Sequence, residues 1–354
     1  MKRRNNKIGF LLLLGFLVIF LSGCTQTTQI EDRDFILAVG IGFENGRYKV
    51  TYARPDLHAL TGQSVGENEK FVMTYTGDTI SDIEEDYASN SDKRLDLRHL
   101  KIIVLDSRIV ENKDKLQELL GFISNKYEIS RNTLVFYTQS QAEKVLNVDT
   151  INENIGENVE KLYENNPQNS DVKKVTIGDL INGSYQVEKV VLIPILEIKK
   201  DRIWLSGAGV FWENEYMDSI DEKQLMYFHM MNGMGKGRDV VLENSQIIKI
   251  KEIQSKFSYS IQDKKPYVVI KIKGVGEELQ NNIEGDSREV FNKQVRREML
   301  NLTQLIIKKE GLDVLNLYRK TSYKNRELWK KYQGNPEQFM NDLTIDIIVD
   351  FQLQ

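Results

Sequence analysis

The sequence predicts an α+β protein of several domains, with mixed α/β segments first and an antiparallel-rich sheet packed on a long helix last. Two patterns indicate this fold class. Up to about residue 200, short apolar strands alternate with amphipathic helices, as in a mixed α/β layer. Beyond that point, segments of alternating apolar and polar residues accompany one long amphipathic helix. This combination is typical of half-buried antiparallel strands with a covering helix.

The first elements form a predicted hairpin. A strand at 35–43 leads into Asn45 and Gly46, which tolerate the positive φ angles of a type I′ turn, and the chain returns at 47–52. Asp78 is predicted to cap the first helix. The elements after the hairpin are predicted at 70–76 (strand), 79–88 (helix), 99–105 (strand), 110–125 (helix), 133–137 (strand) and 140–146 (helix).

The middle of the chain contains the predicted main boundary. Residues 147–175 are rich in Asn and Glu and are predicted to hold one helix near 153–163, and a strand follows at 190–198. A charged Lys-Lys-Asp-Arg segment then separates two apolar strands. We therefore predict a mixed α/β region of two subdomains at 24–202 and a C-terminal domain at 203–354.

The C-terminal domain has the clearest pattern. A long helix is predicted at 288–309, and Gly311 is well placed to end it. Alternating strand segments are predicted around 248–250, 257–261 and 270–272, and shorter helices at 221–231, 314–318 and 324–332, with Gly334 and Pro336 as breaks. The buried face of the long helix is predicted to consist of Phe291, Val295, Met299, Leu302 and Leu305. The last strand, 343–353, places six apolar residues on one face: Leu343, Ile345, Ile347, Val349, Phe351 and Leu353.

Residues 1–23 form a predicted lipoprotein signal peptide. Four basic residues flank the start of the apolar run 8–21, which at 14 residues is shorter than the roughly 20 that a membrane-spanning helix needs. The run is followed by Ser-Gly-Cys and, with Leu21, resembles the lipobox of bacterial lipoproteins, whose cysteine becomes the lipidated first residue of the mature chain. We therefore predict that Cys24 is the lipidation site. An uncleaved signal anchor is the alternative.

The charge balance limits the partners of the chain. It has 48 basic and 52 acidic residues, and the leader holds four of the basic ones, so 44 against 52 leaves the mature part near −8. This balance argues against nucleic acid and against electrostatic docking on anionic lipid. Cys24 is the only cysteine, so no internal disulfide forms, and membrane contact is expected to come from its lipid.

The residues that carry catalytic, metal or cofactor chemistry show no such pattern. His58, His99 and His229 are far apart and lack the spacing of a zinc site. The glycine-rich segment 232–238 lacks the Ser or Thr of a phosphate-binding loop and is interpreted as a flexible turn. The acidic run 84–86 is interpreted as a solvated helix face, and the methionine-rich helix before the glycines as core. The chain is therefore predicted not to be an enzyme and to need no cofactor.

Short motifs in both halves of the chain resemble those of one family. Residues 30–43, after the lipobox, resemble the mature start of the Ger(x)C family, the lipoprotein C subunits of the nutrient germinant receptors of endospore formers. Residues 207–222 and 271–278, together with Trp329, resemble the strand, turn and helix pattern of the last domain of that family. The resemblance therefore extends in element order over nearly the whole chain.

Two motifs depart from the family pattern. Thr25 and Gln26 follow the cysteine, where the family usually has Trp-Asp. The Asp-Ile/Val motif after the long helix is matched only loosely, by Leu312, Asp313 and Val314. These departures concern which branch of the family the chain represents.

The resemblance implies a place and a set of partners. It implies a three-domain mixed α/β body at the outer face of the cytoplasmic membrane, which is the inner membrane of the spore. It also implies a complex with a membrane-embedded B subunit and an A subunit, in which this subunit has no chemistry of its own. A solute-binding lipoprotein that serves a transporter is the alternative, and a cell-envelope hydrolase is a third class.

Overall fold

The computed structural model describes residues 32–55, 71–150, 154–165, 174–183, 190–212, 215–279 and 287–354. The strands are β1 (Arg33–Phe35), β2 (Ala38–Glu44), β3 (Arg47–Ala53), β4 (Val72–Gly77), β5 (Arg94–Asp96), β6 (Ile102–Asp106), β7 (Leu134–Thr138), β8 (Val190–Lys199), β9 (Arg202–Trp212), β10 (Glu215–Ile220), β11 (Asp239–Val241), β12 (Ile247–Gln262), β13 (Lys265–Glu278) and β14 (Thr344–Leu353). The helices are α1 (Ile80–Asn90), α2 (Ser107–Val110), α3 (Lys113–Ser124), α4 (Ala142–Leu146), α5 (Ile155–Asn165), α6 (Ile177–Gly183), α7 (Glu222–Met231), α8 (Ser287–Leu302), α9 (Leu317–Lys324), α10 (Arg326–Tyr332) and α11 (Pro336–Asp342).

An eight-stranded sheet organises the first part of the fold, in the order β10-β9-β8-β7-β6-β2-β3-β4. Its central strands β2, β6, β7 and β8 are parallel, and the outer strands on both sides are antiparallel. Helices α1, α3 and α6 cover one face, and α4 and α5 cover the other. Strands β6 and β7 are therefore buried along their whole length, which explains their continuous apolar sequence.

The predicted boundary at 202/203 lies inside a hairpin of this sheet. Lys200 and Asp201 have φ angles of 51° and 58° and turn β8 directly into β9. Strands β9 and β10 therefore pair with the N-terminal sheet, although Ala208 and Val210 pack in the C-terminal core. Because these strands contribute to both parts, the division at 202/203 remains a prediction.

The C-terminal core lies between a four-stranded sheet and α8. The sheet order is β11-β12-β13-β14, in which β12 is antiparallel to both neighbours and β14 is parallel to β13. Phe291, Val295 and Met299 of α8 are buried against the inward face, where the rings of Phe291 and Phe351 meet edge-on at 5.1 Å. This arrangement confirms the predicted α+β class and the predicted packing of an antiparallel-rich sheet on a long helix.

The end of the long helix differs from the prediction. Residues Thr303–Lys309 are π-helical, and this segment has more residues per turn than an α-helix. Its buried face is consequently shifted, so Ile306 and Ile307 enter the core while Leu305 is 39% exposed. The predicted burial of Leu305 is therefore wrong. Gly311 follows with a φ of 72°, in keeping with its predicted place at the helix end.

Three predictions about helix ends are also wrong. Thr79, not Asp78, caps α1: its Oγ1 accepts from the Asp82 amide at 3.1 Å, and the Asp82 carboxylate accepts from the Thr79 amide at 2.9 Å. Pro336 does not break the chain but begins α11, because a proline at the first helical position lacks only an N–H that the helix does not use. The helix predicted at 314–318 starts later, as α9.

Side chains of α8 close the outer edge of β14. Asn292 donates to the Phe351 carbonyl at 3.2 Å and accepts from its amide at 2.8 Å, as a neighbouring strand would. The Arg288 and Arg296 guanidinium groups donate to the carbonyls of Phe351 and Ile347 at 2.9 Å and 2.7 Å. These contacts satisfy backbone groups that an open sheet edge would present for pairing.

Candidate functional site

Cys24, the predicted lipidation site, lies outside the described residues, as does the leader 1–23. The first described residue, Asp32, follows Cys24 by eight positions. An extended chain spans roughly 3.3–3.6 Å per residue, so Asp32 lies at most about 29 Å from Cys24. Strand β1 begins one residue later and is therefore the element of the described fold that follows the predicted tether most closely along the chain.

Strand β1 is held to the body by a buried carboxylate, Asp34. The side chain accepts a hydrogen bond from the Tyr87 hydroxyl of α1 at 2.7 Å. It also forms an ion pair with Arg54, whose Nη1 lies 3.3 Å from the carboxylate. Asp34 is 4% exposed, so its charge is stable there only because these partners replace water. The contact joins β1 to α1 and to the end of β3.

A second buried carboxylate, Asp96, completes the attachment. It lies on β5, which pairs in parallel with β1 and places Asp96 beside Phe35. Arg33 reaches Asp96 with its Nη1 at 3.1 Å, and Arg98 forms both an ion pair and a backbone hydrogen bond of 3.1 Å with it. The residues that follow the predicted tether in the sequence are thus fastened by two ionic contacts whose carboxylates are buried.

A cleft of about 330 Å³ lies where the eight-stranded sheet meets the C-terminal helices. Val190 and Trp212, which are paired on β8 and β9, form one wall, and Asp313, Tyr318 and Met340 belong to the other. The indole N–H of Trp212 is buried and has no hydrogen-bond partner among the described residues. The cleft marks the junction between the two sheets, a position common for small-molecule sites.

Asp313 is the titratable group that this junction perturbs most clearly. Its two carboxylate oxygens accept from the Leu317 and Tyr318 amides at 2.7 Å and 2.8 Å, which caps the start of α9. Burial raises the pKa of the Asp313 carboxyl to about 6, although the two amides oppose the shift. Asn316, with a φ of 52°, accepts from the Val190 amide at 3.3 Å and links the same turn to β8.

Asp313 should therefore make stability depend on pH. Because its pKa is higher in the folded chain than the ordinary 3.8, the folded state holds the proton more tightly. Its contribution to stability is complete below about pH 4 and is lost as the pH rises through about 6. We expect Asp313→Asn to remove up to about 3 kcal/mol of this loss. Urea unfolding of both proteins between pH 4 and pH 7 measures the effect. If the free energy of unfolding depends on pH equally in the two proteins, the prediction is contradicted.

The histidines have structural surroundings where they are described. His229 is buried, with its Nδ1 2.7 Å from an Arg238 guanidinium nitrogen, and burial followed by that charge lowers its pKa to about 3. His229 is therefore neutral at physiological pH. His99 packs edge-on against Phe35 at 5.4 Å, and His58 lies outside the described residues.

The other motifs considered in the sequence also have structural roles. Glu84 forms an ion pair with Lys126 at 2.5 Å, and Met230 and Met231 are in the core. The glycine-rich segment is a turn between α7 and β11, with three glycines of positive φ and the Gly237 amide bonded to the Ile250 carbonyl at 2.7 Å. It is thus a hydrogen-bonded turn. Among the described residues, no group of three or more His, Cys, Asp or Glu side chains is arranged to hold a metal ion.

The described part of the chain contains no helix that is both long and apolar enough to cross a membrane.

Asp34 lies in the segment 30–43, which resembles the family motif, but its burial and its contact with Tyr87 depend on chain segments far away in sequence. Asp313 was visible only as part of a loosely matched motif. Its contacts with the Leu317 and Tyr318 amides depend on the turn before α9 and have no local sequence signal.

Comparison with known proteins gives the same family over both parts of the chain. Residues 26–198 match the family Spore germination protein N-terminal domain, and residues 206–354 match Spore germination B3/GerAC like, C-terminal. YfkR of Bacillus subtilis (strain 168), whose name assigns it provisionally to spore germination, is 17% identical over 322 residues, which are 85% of this chain and 82% of YfkR. The crystal structure of the GerBC protein superposes with a TM-score of 0.60 at 16% identity and covers 88% of this chain and 96% of GerBC. Because the two family matches together cover nearly the whole chain, the protein belongs to the Ger(x)C family of spore germination proteins.

Proposed function

We propose that this chain is the lipid-anchored C subunit of a nutrient germinant receptor. In this proposal the lipid on Cys24 holds it at the outer face of the cytoplasmic membrane, the inner membrane of the spore. It acts there without chemistry of its own, together with the receptor A and B subunits. The observation that carries the proposal is the family match over residues 26–198 and 206–354, directly after a lipobox cysteine.

The attachment of β1 supports a role in which the tether positions the body. A short polar segment links Cys24 to β1, and Asp34 and Asp96 fix β1 to the sheet and to α1. Two acyl chains hold a protein on a membrane durably, whereas one holds it only marginally. The body is thus expected to stay within about 29 Å of the membrane at β1.

Replacement of Cys24 tests the tether. Cys24→Ala removes the sulfur that the lipid would modify, so we expect most of the protein to leave the membrane fraction and the nutrient response of the spores to fall. The measurement is immunodetection in washed membranes and in the soluble fraction, together with germination on nutrient. Thr25→Ala is the matched control and should stay membrane-bound. Retention of Cys24→Ala after a high-salt wash would contradict the proposal.

The solute-binding class fits the fold less well. It has two similar α/β lobes around a cleft, whereas the second part of this chain is a four-stranded sheet packed on α8. Two of the three strand pairs in that sheet are antiparallel, and only β13 and β14 are parallel. A hydrolase of the cell envelope would need a nucleophile and a base within hydrogen-bond reach. The family match favours the receptor subunit over both.

A further inference from the structure

The outward face of the four-stranded sheet carries an unusual row of side chains. In the strand register Lys256 of β12 is directly opposite Lys271 of β13, and Lys271 is beside Ile348 of β14. Side chains alternate along each strand, so these three project on the side away from α8. All three are exposed. We call this surface the lysine face; it also includes the smaller neighbours Ser258, Ser260, Val269 and Thr344.

Within the described part of the chain, the two lysines have no charge partner. The nearest carboxylates in the register belong to β14 and are engaged: Asp350 with Arg288 at 3.2 Å, and Asp346 with Arg296 at 3.2 Å. Neither Lys256 nor Lys271 forms an ion pair with any residue that the structure describes. Like charges directly opposite each other destabilise a sheet, so this pair costs the isolated protein stability.

Protection of a sheet edge explains Lys256 but not Lys271. Beyond its short pairing with β11, β12 is an edge strand, and lysines on edge strands prevent unwanted pairing with other chains. Lys271, however, lies on β13, which is paired on both sides. Edge protection therefore does not account for a lysine at this position, directly opposite another lysine.

The apolar part of the face indicates what kind of partner fits. Ile348 is 42% exposed next to Lys271, and Val269 is half-buried in the following row. The row thus runs from Lys256 through Lys271 to Ile348, and Asp346 and Asp350 on either side of Ile348 are paired with arginines. Two adjacent cations that end in an exposed isoleucine suit a protein segment that carries carboxylates and an apolar side chain. Two lysines on a chain of net negative charge attract anionic lipid only weakly.

We propose that the lysine face binds an acidic segment of another protein of the receptor assembly, with carboxylates over Lys256 and Lys271 and an apolar side chain over Ile348. The inference rests on the proposed function in one respect, namely that the partner is a receptor subunit. The binding energy comes from charge neutralisation of two lysines that form no ion pair with the residues described, together with burial of Ile348.

The test uses the anchored full-length chain carrying an affinity tag in sporulating cells. Lys256→Glu combined with Lys271→Glu should lower recovery of the receptor A or B subunit from detergent extracts by tenfold or more, with membrane retention unchanged. Lys144→Glu combined with Lys330→Glu gives the same change in net charge at exposed positions elsewhere and should recover the subunits normally. Normal recovery with the first pair overturns the proposal. If the wild-type chain recovers neither subunit, the proposed function fails as well.

The single variant Lys256→Glu separates a binding defect from misfolding. It places a carboxylate opposite Lys271, so the Tm of the isolated body should rise by about 1–3 °C while subunit recovery falls. A photo-crosslinker at position 348 should attach to an acidic peptide of the A or B subunit. If the Lys256→Glu variant loses binding to phosphatidylglycerol vesicles but recovers the subunits normally, the face is a lipid surface and the proposal is overturned.

Discussion

Asp34→Ala is expected to lower the free energy of unfolding by about 3–5 kcal/mol, the usual cost of breaking a buried ion pair by removing one partner. The change takes the acceptor from the Tyr87 hydroxyl, 2.7 Å away, and the carboxylate from Arg54. Alanine cannot replace either contact, and the cavity is too confined for free hydration, since Asp34 is 4% exposed. Urea unfolding of the mature chain carrying Cys24→Ala, with and without the substitution, measures the loss.

Asp32→Ala is the matched control for this prediction. Asp32 is two positions away, exposed, and nearer to the predicted tether, so its removal should change the free energy of unfolding by less than about 0.5 kcal/mol. If Asp34→Ala behaves like Asp32→Ala, the ionic contacts of β1 do not stabilise the fold. In the anchored protein, Asp34→Ala should remain in the membrane fraction, because it leaves Cys24 intact.

Gly274→Ala should destabilise the C-terminal domain by about 3 kcal/mol or more, at the upper end of what overpacking a core costs. A Cβ atom at this position would lie 2.2 Å from the Glu252 carbonyl oxygen and 2.4 Å from the Phe351 ring. The carbonyl is backbone in the paired strand β12 and cannot rotate away. Phe351 cannot move either, because it is fully buried against Phe291.

Gly121→Ala provides the opposite expectation in the same protein. Gly121 lies in α3, where a Cβ would meet nothing within 4 Å. Alanine in a helix interior is favoured over glycine by about 0.5–1 kcal/mol, so this variant should be more stable than the wild type. Thermal unfolding of the two variants in parallel checks both signs, and a neutral Gly274→Ala would mean that the strands separate more easily than the packing indicates.

Gly274 also explains part of the motif at 271–278 that resembles the family. Its glycine is required by the close approach of Glu252 and Phe351, which come from the two neighbouring strands. A glycine inside a strand pattern signals such an approach in the sequence. Which residues approach it is decided only when β14 pairs with β13.

Local patterns predicted much of the fold. The periodicity of apolar residues placed α1, α3, α8 and the alternating strands, and Asn45 and Gly46 form the predicted hairpin turn with positive φ angles. The inward face of β14 is also as predicted, from Ile345 to Phe351. These features depend on neighbours within a few residues, where side-chain spacing and backbone preference act directly.

Some of the candidate functional residues are predicted from local patterns, and others depend on contacts between distant segments. Cys24 was identified from a short contiguous pattern, and it remains a prediction because it lies outside the described residues. Alternation alone places Lys271 on an outward strand face, but its position opposite Lys256 depends on the strand register. The raised pKa of Asp313 likewise arises from burial by elements far apart in the chain.

Local patterns in the sequence predict the leader, the candidate anchor Cys24, the α+β class and the faces of most helices and strands. The structure confirms the α+β class, and the leader and Cys24 remain predictions. Other features are visible only in the folded chain: β9 and β10 continue the first sheet, β14 is parallel to β13, the π-helical turn exposes Leu305, and Asp34 is buried. The physical reason is the range of the interactions. Period and capping act within one or two turns of chain, whereas strand pairing and burial depend on which distant segments meet.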